Sequence, residues 1–157
     1  MRTAILVLCF ALVGSLATQA RAAEGGSPEG LLKALYGLYP RKGGASPIFD
    51  TPQNWLADPL LQRVREDQRQ AAKNGEAGNL DFDPICACQD DTGLKGTKVS
   101  VEEEDGKTAR VSARFMIGKS TINVRYKLAA TPSGWRIADI STKDVPSLLA
   151  MLARAQR

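Results

Sequence analysis

The chain of 157 residues contains no histidine. Histidine is the commonest general base and the commonest metal ligand at neutral pH. Its absence excludes serine–histidine–aspartate and cysteine–histidine catalysis, together with most zinc sites of enzymes. The sequence also has no phosphate-binding glycine loop. These absences favour a binding protein over an enzyme, and we expect neither a cofactor nor a metal ion.

Long apolar runs are scarce as well. The longest, residues 4–17, is shorter than the ~20 residues that a membrane-spanning helix needs. It follows Arg2 and precedes Ala20-Arg21-Ala22, whose small residues match a signal-peptidase site. The pattern predicts a signal peptide over residues 1–22 that is cleaved after Ala22. We therefore expect a periplasmic or secreted protein with no membrane span after cleavage.

The excess of positive charge is small. Without Arg2 and Arg21, the 21 basic residues fall to 19 against 17 acidic ones, which leaves a net charge of +2. This balance gives no reason to expect a nucleic-acid partner. The mature length suits one domain with one hydrophobic core. We predict a flexible lead over residues 23–30 and a single domain over residues 31–157.

The first half of the mature chain has helical periodicity. Ser27 and Pro28 match an N-cap and a first helical residue, and leucines recur every three or four positions over residues 31–39. A second helical region is predicted from about Pro52 to Lys73, and Asp58-Pro59 inside it could break or restart the helix. Its final segment, residues 65–73, is highly polar and is expected to be solvated.

The second half changes to strand periodicity, in which apolar and polar residues alternate. Short turns separate the alternating segments, which predicts four antiparallel strands with one apolar face each. An amphipathic helix follows over about residues 145–152. We therefore predict an α+β domain in which N-terminal helices pack on a four-stranded, curved antiparallel sheet that a C-terminal helix follows. The alternating segments are 99–101, 109–117, 122–128 and 135–140.

Two sequence motifs carry a resemblance. They are Asp83-Pro84-Ile85-Cys86-Ala87-Cys88-Gln89-Asp90 and Gly134-Trp135-Arg136-Ile137-Ala138-Asp139-Ile140, and Ser147-Leu148-Leu149 follows them. The combination resembles the bacterial exported proteins of the domain of unknown function 3828 family, over about residues 31–152. That family is similar to the nuclear transport factor 2-like superfamily. The resemblance implies a cone-shaped α+β fold and implies no reaction.

Cys86 and Cys88 remain after signal cleavage. In an oxidising compartment two neighbouring cysteines are expected to form a disulfide, although residues i and i+2 of an extended strand lie near the upper limit for bridging. Two buried thiols and a thiol–disulfide exchange site are the alternatives. A metal site is a further one, and it would need Asp83, Asp90 or Asp91 to complete the ligands.

The carboxylates allow two interpretations. Asp81, Asp83, Asp90 and Asp91 could supply a general acid and base, or could bond the backbone of local turns. Alternation places Asp139 on the apolar strand face, where it could act as a base beside Tyr126 in a pocket. Exposure at the strand end or helix capping would explain Asp139 equally.

Basic side chains are predicted to project from the polar face of three neighbouring strands. They could bind an anionic ligand or an acidic partner, or could form an ordinary solvated surface. The strand residues are Arg110, Arg114, Arg125, Lys127 and Arg136. The candidate ligand or partner patch combines Arg114, Arg125 and Arg136 with Asp83, Gln89 and Asp90.

The sequence therefore favours an exported, non-catalytic binding module for a protein or an anionic envelope ligand. One alternative is a thiol–disulfide active protein that uses Cys86 and Cys88. Another is a small pocket enzyme that uses Asp139 and Tyr126. Oligomeric state has no signature in the sequence.

Overall fold

An antiparallel sheet with strand order β1-β2-β3-β4 organises the domain. The computed structural model describes residues 26–41 and 46–156, so the predicted signal peptide lies outside the described residues. The strands are β1 (Lys95–Glu104), β2 (Thr108–Ile117), β3 (Ser120–Thr131) and β4 (Gly134–Ser141). The helices are α1 (Pro28–Tyr36), α2 (Pro47–Asp50), α3 (Pro52–Trp55), α4 (Leu60–Asn74) and α5 (Leu148–Ala155).

Alternation gives the sheet two chemically different faces. Val111 pairs with Tyr126, and Ala113 pairs with Val124; these four side chains are buried. We call their side of the sheet the inner face. The opposite side, the outer face, carries polar and charged side chains that are mostly exposed, as alternation predicted. The outer-face residues of β2 and β3 used below are Arg110, Ser112, Arg114, Asn123, Arg125 and Lys127.

Helices cover the inner face. Helix α1 contacts β1, β2 and β4, and α5 contacts β4 and α4. Leu32 and Leu35 of α1 and Leu148 of α5 are fully buried in the core. The predicted α+β class, with helices, an antiparallel sheet and a last helix, is confirmed. No helix among the described residues is long and apolar enough to cross a membrane.

The helix ends follow their local sequence. The Ser27 side chain caps α1 by accepting a hydrogen bond from the Gly30 N–H at 3.0 Å, as predicted. The second helical region is not continuous from Pro52, because α3 ends at Trp55 and α4 starts only after Pro59. Helix α4 ends at Gly75, whose φ of 69° is a left-handed conformation that glycine adopts readily.

The polar end of α4 is not wholly solvated, which corrects the sequence prediction. Asp67 is only 3% exposed. One of its oxygens accepts hydrogen bonds from the backbone and side-chain N–H groups of Asn79, at 3.0 and 2.8 Å, and the other accepts from the Leu80 N–H at 3.0 Å. A Cβ atom at Gly78 would lie 2.3 Å from the same carboxylate. Asp67 therefore fastens the loop that leads toward the cysteines.

We expect Asp67→Asn to lower the free energy of unfolding by about 1–3 kcal/mol, because an amide cannot accept hydrogen bonds on both sides and so leaves a buried N–H unpaired. Asp81→Asn is the matched control, because this substitution removes the same charge at an exposed position. Urea unfolding measures both changes. Equal stability of the two variants would contradict the anchoring role of Asp67.

Candidate functional site

A disulfide closes the loop that joins the helical half to the sheet. Cys86 and Cys88 are bonded, with their Cα atoms 5.1 Å apart. Asp83 and Cys88 also pair through their backbones, with N–O distances of 2.8 and 3.2 Å. Ala87 between the cysteines has a φ of 50°, a left-handed conformation that is uncommon outside glycine. Residues 83–88, which we call the disulfide loop, are thus constrained by two independent closures.

Access to the two sulfurs differs. Cys86 is fully buried, whereas Cys88 is half-buried. Exchange requires a thiolate to reach one sulfur of the disulfide. Cys88 offers such access and Cys86 does not, so any thiol exchange would begin at the Cys88 sulfur. Among the described residues, no group of three or more possible ligands could hold a metal ion.

Two tyrosines fasten the disulfide loop to the sheet. The Tyr36 hydroxyl donates to the Ile85 carbonyl at 2.7 Å, and it lies 2.7 Å from the Tyr126 hydroxyl. Tyr126 also reaches the Ile85 carbonyl at 3.4 Å. Burial raises the pKa of both phenols well above the usual value, so both stay protonated. Tyr126, a candidate catalytic residue from sequence, here joins β3 to α1 and the loop.

Asp83 is the polar centre of the same loop. It is 5% exposed and accepts hydrogen bonds from the Tyr39 hydroxyl at 2.6 Å and from the Ile85 N–H at 2.9 Å. Arg41 lies 3.8 Å from Asp83 and 3.0 Å from Asp91, so it bridges the two carboxylates. Burial raises the pKa of Asp83, while the Tyr39 hydrogen bond opposes that shift. These contacts assign Asp83 to the internal polar network rather than to an exposed patch.

Two clefts flank the disulfide loop. The first, of about 500 Å³, is lined in part by Arg41, Asp83 and Gln89. The second, of about 320 Å³, is lined in part by Cys88 and Gln89. Gln89 is exposed between them. Neither cleft is lined by Asp139 or Tyr126, the residues of the pocket-enzyme hypothesis.

Asp139 is buried, and its oxygens are occupied by the start of α5. One oxygen accepts from the N–H groups of Ile140 at 2.9 Å and Leu149 at 3.1 Å. The other accepts from the Ser147 hydroxyl at 2.8 Å, and Ser147 caps α5 by accepting from the Ala150 N–H. Of the interpretations given for Asp139, helix capping fits these contacts, because Asp139 bonds to Ser147 and Leu149 at the start of α5. A general base would need an oxygen that faces substrate.

The remaining patch residues lie in different places. Asp90 is exposed in a local turn, where hydrogen bonds from the Thr92 side chain and from the Thr92 N–H, the latter at 2.8 Å, lower its pKa. Arg136, near the start of β4, donates to the Trp135 carbonyl at 2.7 Å. Arg114 and Arg125 instead lie on the outer face in the middle of the sheet. The structure thus separates the acidic members of the predicted patch from its arginines.

The outer face concentrates positive charge. Lys98 of β1 lies opposite Arg114, and Arg110 lies opposite Lys127. Directly opposed like charges destabilise a pair of strands. Arg110 is paired with Glu103, but within the described residues no acidic side chain forms an ion pair with Lys98, Arg114, Arg125 or Lys127. Asp139 lies opposite Lys127 across the β3–β4 pair, but its oxygens accept hydrogen bonds from the start of α5. We call these four cations the basic face.

Sequence reasoning missed part of both regions. It did not connect Arg41 with Asp83, because 42 positions separate them and only tertiary structure brings them together. It also left Lys98 out of the basic set, although Lys98 directly precedes Val99 and alternation would have placed it on the polar face. Alternation found Arg114 and Arg125 correctly, because their strands are regular.

Comparisons with known proteins support the fold. No protein-family profile matches the chain, and no curated protein matches it. A chain of the type VI effector–immunity complex Tae3–Tai3 from Ralstonia pickettii is similar in structure over 75% of this chain and 96% of its own, with a TM-score of 0.53 and 19% identity. A phospholipid-binding protein from Ralstonia solanacearum, solved with a phospholipid, matches 83% of this chain and 72% of its own at a TM-score of 0.34 and 14% identity. The second likeness is too weak to carry an argument.

We predict that native reduction makes Cys88 reactive and leaves Cys86 protected, because Cys86 is fully buried. The measurement is alkylation of residues 23–157 before reduction, after reduction in buffer and after reduction in denaturant, with the labelled peptides read by mass spectrometry. Unreduced protein should take up no label, and unfolded protein should be labelled at both cysteines. Equal labelling of both cysteines in the folded, reduced protein would contradict the protection of Cys86.

Proposed function

We propose that the chain is an exported, non-catalytic binding module whose basic face recognises an acidic surface of a partner protein. The observation that carries the proposal is the set of four exposed cations without acidic partners in the described residues. Two of them, Lys98 and Arg114, lie opposite each other across the β1–β2 pair. Their mutual repulsion is relieved when an anionic surface covers them.

The shape of the basic face suits a protein better than a small molecule. It is the side of the sheet that the described helices leave open, and its cations are spread across three strands. A shallow groove of about 290 Å³ lies beside Lys98 and Arg114, and exposed Met116 borders it. An apolar element beside several charges is typical of protein interfaces. The partner would present Asp or Glu side chains around an apolar contact.

Export supports this assignment through the disulfide. Disulfides persist mainly in oxidising compartments, and Cys86–Cys88 is bonded. The sequence of residues 1–22 matches a signal peptide. The similar fold found in a chain of an effector–immunity complex is compatible with a protein partner. Binding is inferred from the basic face, because the likeness concerns the fold alone.

The test compares partner affinities of two charge-reversed variants. Residues 23–157 are immobilised, the envelope fraction of the producing organism is passed over them, and any captured protein is purified and titrated by calorimetry. Arg114→Glu with Arg125→Glu reverses the basic face. Lys73→Glu with Arg154→Glu is the control, because it makes the same change in net charge at exposed positions on helices.

We expect the basic-face variant to bind the captured partner about 10- to 100-fold more weakly and the control to bind within about threefold of the unaltered chain. Raising the salt from about 50 to about 200 mM should weaken binding of the unaltered chain. Equal affinities of the two variants would overturn the proposal.

A further inference from the structure

The two edges of the sheet are treated differently. At the β4 edge, the Ala57 N–H donates to the Ile137 carbonyl at 2.8 Å, so the segment before α4 covers that edge. At the β1 edge, no backbone hydrogen bond from another described segment reaches the strand. An open edge presents unpaired N–H and C=O groups that can pair with another strand.

Charge is distributed unevenly along β1. Lys95 and Lys98 occupy its first half, and Glu102, Glu103 and Glu104 occupy its second half. Glu103 is paired with Arg110, whereas neither Glu102 nor Glu104 has an ion pair among the described residues. A strand with opposite charges at its two ends is complementary to a second copy of itself that runs antiparallel.

We propose that two copies of the chain associate by antiparallel pairing of their β1 edges about Ser100. This register places Lys98 of each copy opposite Glu102 of the other copy. The two-fold axis of such a pair is perpendicular to the sheet. The inner faces of both copies therefore lie on the same side of the joined sheet. Two oppositely charged pairs therefore form, one on each side of the axis.

The same register covers an exposed apolar side chain. Val101 lies on the inner face opposite Val111, yet it is 40% exposed. Pairing about Ser100 places Val101 opposite Val99 of the second copy, and this contact is formed twice. Cross-strand contacts between β-branched residues stabilise a sheet. The same register about Ser100 therefore forms both the oppositely charged pairs and the apolar contacts.

The length of the regular edge limits the strength of association. Register shifts between Lys95 and Lys98 and between Val101 and Glu103 leave Lys98–Val101 as the regular stretch, and Glu102 lies within the second shift. Bulges at a sheet edge restrict pairing with other chains. The pair is thus a reversible dimer at high concentration. It shares Lys98 with the basic face and is tested with no other protein present.

Sedimentation equilibrium of residues 23–157, over about 1 µM to about 1 mM, tests this dimer. We expect reversible dimerisation that Lys98→Glu weakens at least about tenfold, since two attractive pairs become repulsive. Adding Glu102→Lys to that variant should restore association, because the charges are then exchanged and still complementary. Lys73→Glu is the control and should leave association unchanged, since it makes the same charge change at an exposed position on α4.

Crosslinking tests the register separately. Ser100→Cys should form a disulfide between copies under mild oxidation, because the two residues meet at the axis. Ser112→Cys, on the neighbouring strand, should not form one. A chain that stays monomeric throughout the concentration range would overturn the proposal, as would failure of the exchanged-charge variant to recover or equal crosslinking of the two cysteine variants.

Discussion

The hydrogen bonds at the Ile85 carbonyl are the interaction on which the rest of the structure depends. The Tyr36 hydroxyl of α1 donates to this carbonyl, and the Tyr126 hydroxyl of β3 is hydrogen-bonded to the Tyr36 hydroxyl. The disulfide and the Asp83–Cys88 backbone pair hold the loop in the shape that presents the carbonyl. One loop therefore links the first helix, the sheet and the helical half of the chain, and its buried phenols would be costly to leave unpaired.

The two faces of the sheet differ in role: the inner face is stabilised by internal contacts, and the outer face is exposed. The polar groups that sequence reasoning offered for catalysis are all hydrogen-bonded within the protein. Asp83 accepts from the Tyr39 hydroxyl, the Tyr126 hydroxyl bonds to the Tyr36 hydroxyl, and Asp139 accepts from the Leu149 N–H. Asp83 and Tyr126 stabilise the inner side. A register shift in β4 instead places Asp139 opposite outer-face Lys127, which corrects the prediction that alternation puts it on the apolar face. The outer face contributes little to the core and retains opposed cations such as Lys98 and Arg114. A surface that tolerates such repulsion is better explained by a partner than by stability.

Regular periodicity made much of the fold predictable. Alternation located β2 and β3 and assigned Tyr126 to one face and Arg125 to the other, because no bulge interrupts their pairing. Local signals also sufficed at α1, where Ser27 caps the helix. Long-range pairings escaped prediction: Asp67 looked like a solvated helix residue, and Tyr36 gave no sign that its hydroxyl reaches Ile85. Those contacts depend on how the loop packs, which no local pattern specifies. Membership in the domain of unknown function 3828 family stays a prediction from the motif around Cys86.

The most direct measurement for the central claim is a crystal structure of residues 23–157 bound to the captured partner. We expect Arg114 and Arg125 to contact acidic side chains of the partner and the disulfide loop to keep its conformation. A partner seated on the helical side, with the outer face still open to solvent, would contradict this expectation.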